Sequence, residues 1–213
     1  IAFMFAIGYE KTGLGKRISL ILVSKMGKRT LGLGYAIATA DLVLAPFMPS
    51  NTARSAGTIF PIVKNIPILF GSTPEKEPRK IGSYITWVAL ASTCVTSSMF
   101  YTALATNVLA KSLVEDAGII PPTWTQWFLY FLPVGIILFL TVPLITYFVY
   151  PPTLKASKKI PEWAGKELQE MGKISRNEII MAILAGLALI LWIFGSYFKI
   201  HATVAALAVL CLM

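Results

Sequence analysis

The chain has 213 residues, 56% of them hydrophobic and 14% charged, with 19 lysines and arginines against 10 acids for a formal charge of +9. The charges sit in short clusters between apolar runs of membrane-spanning length, which sets the class as an all-α polytopic membrane protein. That placement excludes a nucleic-acid binder, whose cations gather on one soluble face, while Cys94 and Cys211 lie inside apolar runs, build neither a disulfide framework nor a metal site, and are expected to be small buried thiols.

In chain order, residues 1–9 read as the end of a transmembrane helix. Residues 10–29 carry Leu14, Ile18, Ile21, Leu22 and Met26 at helical spacing, with Lys16, Arg17, Lys25, Lys28 and Arg29 between them, which predicts an amphipathic helix on the membrane surface. Residues 30–70 are two apolar arms around the polar turn Ser50-Asn51-Thr52. Each arm is shorter than the roughly 20 residues a crossing helix needs, and Pro46, Pro61 and Pro67 weaken them. A re-entrant hairpin of two half-helices is predicted, and non-helical backbone at such a depth must face protein or a watery cavity.

Residues 71–80 are a polar loop with Pro74 and Pro78 as breakers. Residues 81–110 exceed one span and hold a polar centre of Ser92, Thr93, Thr96, Ser97, Ser98, Thr102, Thr106 and Asn107, so an interrupted transmembrane helix is predicted there. A loop over 111–122 precedes a span over 123–150, entered through Trp124, Trp127 and Tyr130, left through Tyr147 and Tyr150, and kinked at Pro133 and Pro143. Residues 151–178 form a polar loop with a short helix at 167–171, residues 179–197 a further span, and residues 200–213 a truncated one, with His201 near an interface.

Orientation follows from the cations. Segment 10–29 holds six, 64–80 four and 151–178 six, while 111–122 and 198–201 hold one each, so the first three are expected in the cytoplasm and the last two outside. The chain between the first two must then cross an even number of times or not at all. A hairpin dipping in from the cytoplasm satisfies this, as would two full spans with Ser50-Asn51-Thr52 outside; arm length and the prolines favour the hairpin.

The stretch PSNTARSAGTIFPI resembles the S-N-T signature of the divalent-anion/sodium symporter superfamily, and SSMFYTALATNVLA resembles its interrupted helix. With KTGLGKRISL and WTQWFLYFLPVG the likeness covers nearly the whole chain, and it is strongest to the branch of 2-oxoglutarate/malate translocators and citrate/succinate or tartrate/succinate antiporters. The resemblance implies an inverted-repeat transporter of which this chain is a fragment, most of the first repeat and the start of the second. It implies a homodimer in a bacterial inner membrane or a plastid inner envelope. The function implied is elevator-type exchange of di- or tricarboxylates such as 2-oxoglutarate, malate, succinate, citrate and tartrate, with sodium-coupled symport as the alternative.

Ser50, Asn51 and Thr52 offer two hydroxyls and an amide, beside backbone N–H groups at the positive end of the second arm's dipole, a donor set suited to a carboxylate. By the resemblance, Ser97 and Ser98 stand near the helix break and complete this half of the site, with Thr96 beside them. No acid is obvious near Arg54, so it is expected either to face the site and balance a dianion in place of sodium or to bond backbone carbonyls or an acid from the other half; Asp41 is expected to pair with Lys64 across the hairpin base. No cofactor is expected. Sodium, if bound, would lie near Ser50, Asn51 and Ser97, yet sodium-coupled members carry glycines at the break and a serine where this chain has Pro46. An enzyme is disfavoured by the lack of an H-E-x-x-H motif or paired intramembrane acids, and a channel by the lack of a repeated filter.

Overall fold

The computed structural model describes residues 11–195 together with Gly8 and Val204; apart from those two residues, the predicted segments 1–9 and 200–213, including His201 and Cys211, lie outside the described residues. Helix α1 (Leu14–Met26) starts after Gly13, whose φ of 77° is a left-handed conformation that glycine adopts without a Cβ clash. Its apolar face buries Leu20 and Val23. Gly15 passes so close to the neighbouring arm that a Cβ would lie 2.8 Å from Thr58 Cγ2.

Two helical arms flank the turn at Ser50-Asn51-Thr52. The first is α2 (Thr30–Leu44); the second opens as a π-helical stretch, Ala53–Ile59, and continues as α3 (Phe60–Ile68). Pi-helical turns are rare and cluster at functional sites, because the wider turn rotates side chains off the α-helical register. The arms are spread by their neighbours: α4 (Gly82–Met99) packs against both, and Ser19 and Val23 of α1 meet Ile37 and Ala40 of the first arm and Ile59, Ile62 and Val63 of the second. A short 3-10 turn, Tyr101–Ala103, and α5 (Ala105–Asp116) follow α4. Phe100 and Leu104, on either side of that turn, are extended, at φ −120° and −148°, so the chain breaks here.

Helix α6 (Trp124–Val149) begins with a reciprocal cap in which Thr123 Oγ1 accepts from Gln126 N–H and Gln126 Oε1 accepts from Thr123 N–H. The hydroxyls of Tyr35 and Tyr84 donate to the carbonyls of Leu140 and Pro143 at 2.6 and 3.3 Å, binding α6 to α2 and α4 beside the Pro143 break in its hydrogen-bond ladder. Gly34 is what admits Tyr84, since a Cβ there would lie 2.2 Å from the phenol oxygen.

The stretch 151–178 differs from expectation: its helix, α7 (Lys159–Glu170), lies earlier and is longer than 167–171. Ile160, Trp163, Ala164 and Leu168 recur at helical spacing and dock on α1, a partner that polarity along the chain conceals. Ahead of α7, residues 153–157 act as a strap: Thr153 and Leu154 N–H donate to the carbonyls of Arg79 and Lys80, Thr30 N–H donates to Lys155 O, and Ser157 N–H donates to Lys28 O. Helix α8 (Arg176–Phe194) is capped by Ser175 and Glu178. Helices α6 and α8 are each long and apolar enough to cross a membrane. Cys94, expected to be buried, is exposed on α4.

Candidate functional site

The turn between the arms is built by its own backbone. Phe47 and Met48 N–H both donate to Leu44 O at 3.1 Å, ending α2, and Ser50 opens the second arm by accepting Ala53 N–H on Oγ at 3.2 Å and Arg54 N–H on its carbonyl at 3.0 Å. Ser50 and Asn51 are half-buried and Thr52 is exposed, so the S-N-T donors stand at the surface of the tip. The Thr52 hydroxyl donates weakly to Asn51 Oδ1 at 3.4 Å.

Beneath the tip lies a buried ion pair. Arg54 is 0% exposed and Asp41 1%, and Arg54 Nε meets Asp41 Oδ1 at 2.9 Å. A guanidinium has five N–H groups in a rigid fork, and here each has an acceptor. Besides Asp41, these are Met48 O and Ala103 O for Nη1, at 3.1 and 3.4 Å, and Thr96 Oγ1 and Ser97 Oγ for Nη2, at 3.2 and 2.9 Å. Asp41 also accepts from Thr93 Oγ1 at 2.9 Å and from the Thr96 hydroxyl. One side chain thus joins the first arm, the tip, α4 and the turn beyond its break.

The break has its own fastenings. Asn107 Nδ2 donates to the carbonyls of Ser97 and Phe100 at 2.8 and 3.2 Å, supplying partners that the end of α4 lacks. The Thr102 hydroxyl donates to Pro46 O at 2.8 Å and accepts Trp124 Nε1–H at 3.2 Å, so tip, break and α6 meet at one oxygen.

Two sequence expectations are corrected. Asp41 pairs with Arg54, and Lys64 is exposed. Counting helical rise to Ser50 set Asp41 far below the tip, but α2 stops at Leu44 and the chain folds over, which leaves Asp41 level with Arg54. Arg54, read either as facing a substrate or as bonding backbone carbonyls or an acid from the other half, bonds carbonyls and an acid of this half instead: it is neutralised by Asp41, sealed from the surface and has every donor committed. Of the remaining expected site residues, Thr96 and Ser97 are drawn to the tip through Arg54. Ser98 turns away, its hydroxyl bonded to Cys94 O at 3.2 Å, and opens with Asn107, Trp127, Tyr130 and Phe131 onto a separate cavity of about 370 Å³. Asp41, Thr93, Thr102 and Asn107 were not among the expected ligands. The signal for the pair was present: Asp41 is the one acid well inside an apolar arm, and Arg54 the cation nearest the tip.

Among the described residues no group of three or more His, Cys, Asp or Glu side chains forms a metal site. The tip can offer uncharged donors to an anion, held in place by a charge-neutral strut.

Comparison with known proteins places the chain in a family. The L-tartrate/succinate antiporter of Escherichia coli (strain K12) is 50% identical over 214 residues, covering 100% of this chain and 44% of that protein. The citrate/succinate antiporter of the same strain is 50% identical over 213 residues, with the same shares, so the chain spans under half the length of these relatives. The model of the sodium:sulfate symporter transmembrane region matches residues 1–213, and the chain belongs to that family of membrane transporters.

Proposed function

We propose that this chain forms part of a secondary carrier that exchanges one di- or tricarboxylate for another, with Ser50, Asn51 and Thr52 contributing half of the anion site. The observation that carries the reading is the 50% identity, over the whole chain, to proteins named as tartrate/succinate and citrate/succinate antiporters. The geometry supports it. Hydroxyl and amide donors stand at the start of a helical arm, where free N–H groups and the helix dipole favour a carboxylate. The expected setting is a re-entrant hairpin within an inverted-repeat, elevator-type homodimer of a bacterial inner membrane, the second half of the site coming from the other repeat.

Sodium coupling is the weaker reading for this chain. Ser97 Oγ, one of the oxygens expected around a sodium, already accepts Arg54 Nη2–H at 2.9 Å, and Arg54 supplies the tie between tip and helix break that a bound cation would otherwise make. Asp41 cancels the charge of Arg54, so this pair adds no net charge beside the Ser50-Asn51-Thr52 donors. Full-length protein in liposomes should show counterflow of labelled succinate, citrate or tartrate against unlabelled substrate without a sodium gradient. Uptake into empty vesicles that rises steeply with external sodium would overturn exchange in favour of symport.

A further inference from the structure

Two segments distant in sequence meet at the base of α2. Ser157 N–H donates to Lys28 O and Thr30 N–H to Lys155 O, both at 2.9 Å, and Arg29 pairs with Ala156 in an isolated antiparallel bridge. The pairing gathers Lys25, Lys28 and Arg29, from the end of α1, with Lys155, Lys158 and Lys159, which lead into α7. All six are exposed, and among the described residues none lies within ion-pair distance of a carboxylate. The nearby acids are mostly committed: Glu167 pairs with Lys16 at 2.9 Å and Glu77 with Lys80 at 2.8 Å, while Glu162 stands in the first turn of α7.

The level of this cluster is marked by the end of α6. Lys155 Nζ lies 4.6 Å above the Tyr147 ring, and the Arg79 guanidinium lies 4.6 Å above that of Tyr150. Aromatic side chains at the end of a spanning helix mark the headgroup zone, and the amphipathic helices α1 and α7, packed on each other, adjoin the cluster. Phe148 and Val149, 72% and 76% exposed, offer apolar surface at the same end of α6.

We propose that this junction binds the phosphate headgroup of an anionic phospholipid of the cytoplasmic leaflet. Lys28 and Arg29 flank the headgroup from one segment and Lys158 and Lys159 from the other, with acyl chains along the end of α6. A dissolved anion would use the same charges, but it has no use for apolar side chains at that level. The strap at 153–157 fastens the base of the first arm to the residues ahead of α4, so a lipid seated here braces the ground on which the hairpin stands.

The test counts lipid rather than transport, so its result is independent of the exchange assignment. Full-length protein is released from bilayers of phosphatidylethanolamine and phosphatidylglycerol, and retained lipids are measured by native mass spectrometry. Phosphatidylglycerol should be retained well above its bulk proportion. The variant Lys28→Gln/Arg29→Gln/Lys158→Gln/Lys159→Gln should lower that retention by about tenfold or more, since each cation near a membrane surface adds attraction for anionic lipid. Lys64→Gln, elsewhere on the surface, should leave it unchanged. Retention at the bulk proportion by the unaltered protein overturns the proposal whether or not the variant folds. Equal retention by the fourfold variant, or loss of the lipid to millimolar inorganic phosphate, overturns it as well.

Discussion

Among the described residues two arginine–carboxylate pairs are buried, and they sit in different solvents. Arg54 and Asp41 meet under the Ser50-Asn51-Thr52 turn, 13 residues apart in sequence, and their remaining partners are hydroxyls and carbonyls from α4, that turn and the helix break. Arg17 and Glu178 meet at the base, 161 residues apart, with Arg17 Nε 2.5 Å from Glu178 Oε1 and further bonds to the carbonyls of Gly172 and Met171. Glu178 works twice, since its carboxylate also accepts Ser175 N–H at 2.7 Å and so caps α8. The first pair is enclosed between apolar arms, where a lost partner leaves a charge with no water to turn to. The second adjoins the polar loop 171–175, where water can replace what a substitution removes. The cost of deleting one member should therefore differ although both pairs are buried.

The largest effect is expected at the tip. Asp41→Asn or Arg54→Gln alone should destabilise the full-length carrier by about 3–5 kcal/mol, seen as loss of monodisperse protein in detergent, because each leaves one uncompensated buried charge. The double substitution should recover part of that loss, and strictly additive losses would remove the pair from the account. At the base, Arg17→Gln should cost about 1.5–3 kcal/mol, the range for hydrogen bonds to a charged group, read as a lower thermal midpoint in the same detergent. A loss at the base equal to that at the tip would break the distinction drawn between the two solvents.

A smaller loss belongs to the helix break. Asn107→Ala strips donors from the carbonyls of Ser97 and Phe100 and should cost about 1–3 kcal/mol, with faster hydrogen exchange at residues 100–104. Smallest are the exposed positions. Thr52→Ala and Lys64→Gln should each change stability by less than about 0.5 kcal/mol. Thr52→Ala should nevertheless weaken half-saturation for succinate in a counterflow assay by roughly tenfold, as expected for one lost hydrogen bond to a charged ligand, while Lys64→Gln should not. Together the two surface variants separate a donor at the site from a bystander.

Hydropathy and local composition carried the class. Apolar runs with clustered charge mark a membrane protein, and these are properties of neighbouring residues that no fold is needed to read. The polar centre of residues 81–110, where Phe100 and Leu104 interrupt the helix, and the Ser50-Asn51-Thr52 turn stand out for the same reason. The S-N-T signature carried the family, because a donor set at a chain turn is written in consecutive positions.

What tertiary structure decided was pairing. Sequence spacing matched Asp41 with Lys64 and left Arg54 without an acid; the actual partner depends on α2 ending at Leu44 and on the π-helical opening of the second arm, which together bring Arg54 inward beside Asp41. Ser97 and Ser98 are neighbours with the same hydroxyl, yet one accepts from Arg54 and the other faces the cavity beside α6, since successive residues on a helix point about 100° apart. Polarity along residues 151–178 did not disclose that α7 docks on α1, nor that Arg17 reaches Glu178. A side chain's chemistry is local, but its partner is fixed by where helices stop and how they are turned, and those follow from contacts between residues far apart in the chain.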